Sequence, residues 1–242
     1  MPDVSGGPRP SGPALRHPAL PGVVWEATSV ARSQPLHRAE VEHIQHSVPK
    51  RRDEFATVRA CAGRALAELG YTRPTMTPGP RGEPQWPEGV VGSMTHTDGY
   101  YAAAVAPRHA VAALGIDAEQ HEALPDRVFD LVASPAERDR ARELASSDGS
   151  VAWDRLVFSA KEAIYKTWHP QIGTWLDFGD VEVDIGPGGT FAARLVGTGN
   201  GWQGAELLRH IAGRWWADID HIVTAAVVPA TPTLGSQRDD RR

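Results

Sequence analysis

Three apolar runs at residues 90–96, 100–106 and 110–119 are separated only by Thr97-Asp98-Gly99 and Pro107-Arg108-His109. Turns this short join antiparallel strands and leave no room for a crossover helix, so the middle of the chain has to be β-structure of meander type. Helical periodicity stands on both sides of it. Phe55, Val58, Ala62, Leu66 and Leu69 recur at spacings of three and four before Gly70, which reads as a C-cap. Ser134-Pro135-Ala136-Glu137 is a capping box with proline at the first helical position, opening a helix through about Leu144. Trp153, Val157, Ala160, Ile164 and Trp168 form the apolar stripe of a further helix that Pro170 stops, with Glu162 and Lys166 on a different face. A strand candidate at 22–28 and a weak helical pattern at 38–46 precede these elements, and strands with Gly-rich turns fill 181–228.

A meander plus helix in each half predicts an α+β fold of two similar, pseudo-symmetric lobes, each an antiparallel three-stranded sheet packed with helices. The expected divisions are a mobile tail at 1–20, a first lobe at 21–111, a second at 112–229 and a mobile tail at 230–242. In a meander the first and third strands run the same way, so His96 arrives at the same sheet edge as Asp117 and Glu119.

Composition excludes several classes. A hydrophobic share of 41% over 242 residues supports a large core rather than global disorder. No apolar run approaches the roughly 20 residues that span a bilayer, and no basic segment leads into an apolar one at the N-terminus, so a cytoplasmic location without membrane attachment is expected. Cys61 is the single cysteine and reads as core. A net charge of −5 argues against nucleic acid as partner. Residues 50–64 nevertheless hold five basic and two acidic side chains, enough to receive a small polyanion.

The period of two in Leu114-Gly115-Ile116-Asp117-Ala118-Glu119 sends Asp117 and Glu119 to one face of a strand end. Two like charges aimed together call for a cation or proton between them, or else mark a solvated edge. About forty residues later stands Phe158-Ser159-Ala160-Lys161-Glu162-Ala163-Ile164-Tyr165-Lys166, and Gly92-Ser93-Met94-Thr95-His96 precedes the pair. In this order and spacing the three segments resemble the 4′-phosphopantetheinyl transferases of the large monomeric class, the one that includes the enterobactin-synthase D component and surfactin-type enzymes. Lys50-Arg51-Arg52-x-Glu54-Phe55-x-x-Val58-Arg59 and Gly82-Glu83-Pro84-x-Trp86-Pro87 look most like the actinobacterial members.

The resemblance implies transfer of the phosphopantetheine arm of coenzyme A to a serine of an apo acyl or peptidyl carrier protein. It implies Mg²⁺, or Mn²⁺, held by Asp117, Glu119 and Glu162, with Ala118 between the first two leaving space for water, and it makes Glu162 a second candidate as general base. Lys161 and Lys166 would contact phosphates, Arg51 and Arg59 would hold the 3′-phosphate, and His96 would contact the same 3′-phosphate beside Thr95. Relatives carry a basic residue where Glu83 stands here, so Arg81, or the backbone of Gly82 and Glu83, would make that contact. Arg52 and Arg64 read as solvated. The two lobes would meet at a cleft near residue 112 that holds the active site and binds coenzyme A, and the carrier is expected beside it, near residues 124–131 or the 153–168 helix. A non-catalytic carrier-binding module and another Mg²⁺-dependent phosphoryl-transfer enzyme are the alternatives; retention of all three carboxylates and of Lys161 and Lys166 weighs against the first, and the lack of a broad basic surface against a nuclease.

Overall fold

The computed structural model describes residues 15–72, 76–77, 79, 83–125, 127–196 and 209–230. Its elements, in chain order, are β1 (Val24–Thr28), α1 (Arg38–Ile44), α2 (Pro49–Glu68), β2 (Val90–Thr97), β3 (Tyr100–Pro107), β4 (Val111–Gln120), α3 (Val128–Val132), α4 (Pro135–Ser147), α5 (Trp153–Ile172), β5 (Val181–Gly186), β6 (Thr190–Leu195), β7 (Ala212–Ala217) and β8 (His221–Pro229). They form an α+β fold with two antiparallel sheets. One has the order β1-β3-β2, the other β4-β8-β7-β6-β5.

The hairpin of β2 and β3 forms as its turn signal predicts, with His96 opposite Tyr101. The third run does not complete the meander. β4 pairs with β8, Asp117 facing Thr224, and so belongs to the second sheet, which has five strands rather than the expected three. Side chains explain the departure. The β4 amides of Ile116 and Ala118, which point away from β8, donate to the hydroxyls of Ser93 and Thr95 on β2, each at 3.0 Å. Two hydroxyls thus stand in for a neighbouring backbone, satisfying an edge that would otherwise hold buried unpaired donors. The contacts Ser93 to Ile116, Thr95 to Ala118 and Thr97 to Gln120 advance together along both strands, so β2 and β4 run the same way and the expected common edge exists.

Three apolar clusters hold the layers. Cys61, Ala62, Ala65 and Leu66 of α2 pack on Ala103 and Val105 of β3. The opposite face of β3, with Ala102 and Ala104, packs against Leu114, Ile116 and Ala118 of β4 and Val223 and Ala225 of β8. Small residues on both faces let this central strand sit between α2 and the second sheet. The α5 stripe of Trp153, Val157, Ala160, Ile164 and Trp168 fills the core beyond that sheet. Pro170 does not stop α5, which continues to Ile172 and ends at Gly173, whose φ of 74° is open to glycine. Residues 15–20, expected in the N-terminal tail, lie on the structure. Leu15 and Leu20 pack on the inter-sheet core, and the Arg16 carbonyl accepts from the Tyr100 hydroxyl at 3.2 Å.

Gly115 sets how close α5 comes to β4. A Cβ there would lie 2.1 Å from the Ala163 carbonyl oxygen and 2.6 Å from the Thr167 amide nitrogen, both backbone atoms that cannot rotate away. Gly115→Ala is therefore expected to cost about 2–3 kcal/mol by forcing the helix outward, a fall of several degrees in Tm by thermal denaturation. An unchanged Tm would show that the helix has slack at this crossing.

Candidate active site

The edge where β4 ends under α5 collects the polar residues. Asp117 is 4% exposed, yet its carboxylate has three donors: Lys166 Nζ at 2.7 Å and Thr95 Oγ1 at 3.3 Å on Oδ1, and Ser159 Oγ at 2.9 Å on Oδ2. Ser159 also meets Thr224 Oγ1 at 2.9 Å. Glu119, two residues on and on the same face, accepts from Arg155 Nη1 at 3.0 Å. Burial, with the Asp117 charge second, raises its carboxyl to about 7. Glu162 is partly buried, and burial followed by Asp117 moves its pKa upward against the pull of Lys166. Three carboxylates thus share one field with fewer cations than the charge demands.

Arg155, Ser159, Glu162 and Lys166 advance along α5 at spacings of four, three and four, a polar stripe facing this edge. The sequence displays that stripe by spacing alone; the Phe158–Lys166 motif contains Ser159 and leaves out Arg155. Glu54, inside the Lys50–Arg59 motif, is a further member that the motif alone does not single out. Its carboxylate is 3.7 Å from Arg51 Nη1, 3.4 Å from His96 Nε2 and 3.9 Å from Lys50 Nζ. Arg51 Nη1 lies 2.7 Å from His96 Nε2, so the imidazole nitrogen accepts there. Burial and then Arg51 hold the His96 pKa below its ordinary value.

Two expected members stand elsewhere. Lys161 falls at 157 plus four on the apolar stripe and points into the core. It is 2% exposed, its Nζ donating at 2.8 Å to the Val132 carbonyl, Glu137 Oε2 and the Phe178 carbonyl. All three ammonium protons are used, which leaves none for a phosphate, while the rest of the Lys161 side chain lines the small cavity beside Glu162. Arg59 is 8% exposed, sits 3.4 Å over the Phe55 ring and has Nε 3.5 Å from Glu40 Oε1 without a hydrogen bond. Burial lowers its pKa to about 10. It therefore faces a cavity of about 630 Å³ with Leu36, Glu40 and Tyr71 rather than the Arg51–His96 pair. Arg81 and Gly82 lie outside the described residues. Glu83 and Pro84 line an opening of about 470 Å³ between β2 and the C-terminal end of α5, with Gly92, Arg108 and Thr167.

Among the described residues, no three carboxylate, imidazole or thiol groups are drawn onto one point. Asp117 turns to Lys166 and Glu119 to Arg155. The donor chemistry nonetheless suits a hard divalent cation: three carboxylates from one strand end and the adjoining helix face, two of them with raised proton affinity, offer oxygen ligands in excess of local positive charge.

Comparison with known proteins identifies the family. The family described as the 4′-phosphopantetheinyl transferase N-terminal domain matches residues 39–106, and the 4′-phosphopantetheinyl transferase superfamily matches residues 113–222. The chain is 48% identical over 196 residues to 4′-phosphopantetheinyl transferase Svp of Streptomyces mobaraensis, covering 81% of this chain and 79% of the relative. It is 42% identical to 4′-phosphopantetheinyl transferase PptT of Mycobacterium tuberculosis over 195 residues, covering 78% and 84%. It is 44% identical to 4′-phosphopantetheinyl transferase Npt of Nocardia iowensis over 216 residues, covering 85% and 96%. The chain belongs to the 4′-phosphopantetheinyl transferase superfamily and has its activity, the transfer of phosphopantetheine from coenzyme A to a carrier-protein serine.

Proposed function

We propose that Asp117, Glu119 and Glu162 perform this transfer as the ligands of one Mg²⁺, with Mn²⁺ as a substitute, and that Glu162 also receives the proton of the carrier serine. The observation that carries the reading is that a strand end and the adjoining helix face place three carboxylates, two with raised proton affinity, in one electrostatic field beside Lys166. When bound, the cation neutralises charge on the attacked phosphate and on the departing adenosine 3′,5′-bisphosphate. Ala118 is buried with its amide held by Thr95, so it contributes spacing between Asp117 and Glu119 rather than a side chain. Lys166, 29% exposed at its side chain, reaches the pyrophosphate as a compact cation. Glu162 is within the field of Asp117, and a carboxylate that holds protons more firmly than usual is the better general base near neutrality.

The two lobes, 21–111 and 112–229, divide the substrate. Arg51 and His96 take the 3′-phosphate beside Thr95, whose hydroxyl is held by Asp117 and the Ala118 amide, while Glu83 and Pro84 border the nucleotide in the opening between β2 and α5. In place of a basic side chain at Glu83, Arg81, or the backbone of Gly82 and Glu83, makes the nucleotide contact, and Arg59 adds a positive charge within the field of Arg51. A cavity of about 190 Å³ beside Glu162, walled by Tyr165, Trp175, Leu176, Phe178 and Val181, suits the narrow pantetheine arm. The apo acyl or peptidyl carrier meets α3, where Leu131 is 81% exposed. No helix among the described residues is long and apolar enough to cross a membrane. A cytoplasmic monomer acting on small-molecule and carrier substrates, without nucleic acid, completes the reading.

The Glu119 pKa gives a test by pH. A carboxyl near 7 is mostly protonated at pH 6 and mostly ionised at pH 8, and a metal ligand must be ionised. Mg²⁺ binding in the presence of coenzyme A should release a proton and weaken about tenfold as pH falls from 8 to 6. Calorimetric titration at both pH values checks it. Affinity independent of pH would remove Glu119 from the ligand set.

A further inference from the structure

We propose that Arg155 is a positioning residue for the transfer, holding Glu119 and the chain corner after β4 in place for the cation, with Asp154 as its partner. The proposal rests on the assignment of Glu119 to the cation site. Arg155 sits in the first turn of α5, and its side chain is 12% exposed. Its guanidinium spends one nitrogen on each of three acceptors: Nη1 on Glu119 Oε2 at 3.0 Å, Nε on the Glu122 carbonyl at 3.0 Å and Nη2 on the Ala123 carbonyl at 3.2 Å. The neighbouring Asp154 adds a fourth hold, accepting from the Leu124 amide through Oδ2 at 2.8 Å. Two consecutive residues thus grip the chain from 119 to 124.

Geometry separates this from an ordinary ion pair. A surface Arg to Glu contact contributes little because both side chains pay entropy to meet. Here two of the three guanidinium bonds end on backbone carbonyls, so the group is fixed whether or not Glu119 is present. The planar fork then presents Nη1 at one place, engages Oε2 and leaves Oε1 of the same carboxylate for another partner. The same helix carries Ser159, which holds Asp117, and Glu162 itself. One rigid element therefore sets all three carboxylates, and residues that orient metal ligands from behind commonly change metal affinity by about 10–100-fold when removed.

The test is Mn²⁺ binding to the full chain with coenzyme A, read by the electron paramagnetic resonance of free Mn²⁺, alongside kcat, KM and Tm. Arg155→Gln should raise the Mn²⁺ dissociation constant by about tenfold, with kcat at saturating metal within about threefold of the wild type. Arg155→Lys keeps a positive charge but cannot fork, and should give a smaller rise; it carries the test if Arg155→Gln fails to fold. Glu119→Gln is the control. If Glu119→Gln weakens Mn²⁺ and neither Arg155 variant does, or if they tighten it, Arg155 is only a structural tie and the proposal is overturned. If Glu119→Gln itself leaves Mn²⁺ binding unchanged, the assignment of Glu119 fails and the proposal falls with it.

Discussion

Asp117→Asn is expected to lower kcat/KM for phosphopantetheine transfer by about a thousandfold while the protein stays folded. Asparagine has nearly the same shape, and its side-chain oxygen still accepts from Lys166 and Thr95 on the Oδ1 side. On the Oδ2 side its NH₂ would face Ser159, whose hydroxyl turns to accept and gives its own proton to Thr224 at 2.9 Å. What disappears is the negative charge. Lys166 loses its closest counter-ion, Glu119 and Glu162, raised first by burial, lose the like charge that adds to it, and the cation loses a ligand held almost out of water. Steady-state rates against coenzyme A, with Mn²⁺ binding in parallel, check the result. Loss of rate with unchanged metal binding would place Asp117 in substrate contact alone.

The second large effect concerns Lys161 and is one of stability. Lys161→Met removes the cation from a site where Glu137 is 4% exposed and the Val132 and Phe178 carbonyls also point inward. Breaking a buried pair from one side leaves an uncompensated charge and costs about 3–5 kcal/mol. In a chain of this size that is a fall in Tm on the order of 10 °C. Glu137 keeps its remaining donors, the amides of Ser134 and Val183, each at 2.7 Å, so α4 still caps and β5 stays docked. The folded fraction should retain its KM for coenzyme A. Lys166→Met should behave in the opposite way, raising that KM with little change in Tm. Equal and large KM increases for both lysines, with Tm unmoved, would return Lys161 to the phosphate site.

These two lysines show what the sequence reveals and where it stops. Position 161 lies between 157, 164 and 168 on the buried stripe of α5, so periodicity alone turns it inward; its place beside Glu162 in a familiar motif pointed the other way. Asp117 and Glu119 were legible because alternation along a strand is local. The capping box at Ser134 was legible for the same reason, but the sequence does not reveal that its Glu137 also ties α5 and β5. The partner of β4 was not legible. Short turns predict a meander, whereas the choice of β8 depends on whether Ser93 and Thr95, strands away, satisfy two edge amides through side chains. The same long-range dependence hid Arg155, whose acceptors lie more than thirty residues upstream.

The account is tested most directly by weighing an apo carrier protein, as intact mass, after incubation with the full chain, coenzyme A and Mg²⁺, with EDTA in place of Mg²⁺ and Glu162→Gln in place of the wild type as parallel arms. The account predicts a gain of roughly 340 Da, the mass of one phosphopantetheine from its covalent formula, that disappears in both parallel arms. A gain that persists with EDTA and with Glu162→Gln would contradict the three-carboxylate site as the seat of the reaction.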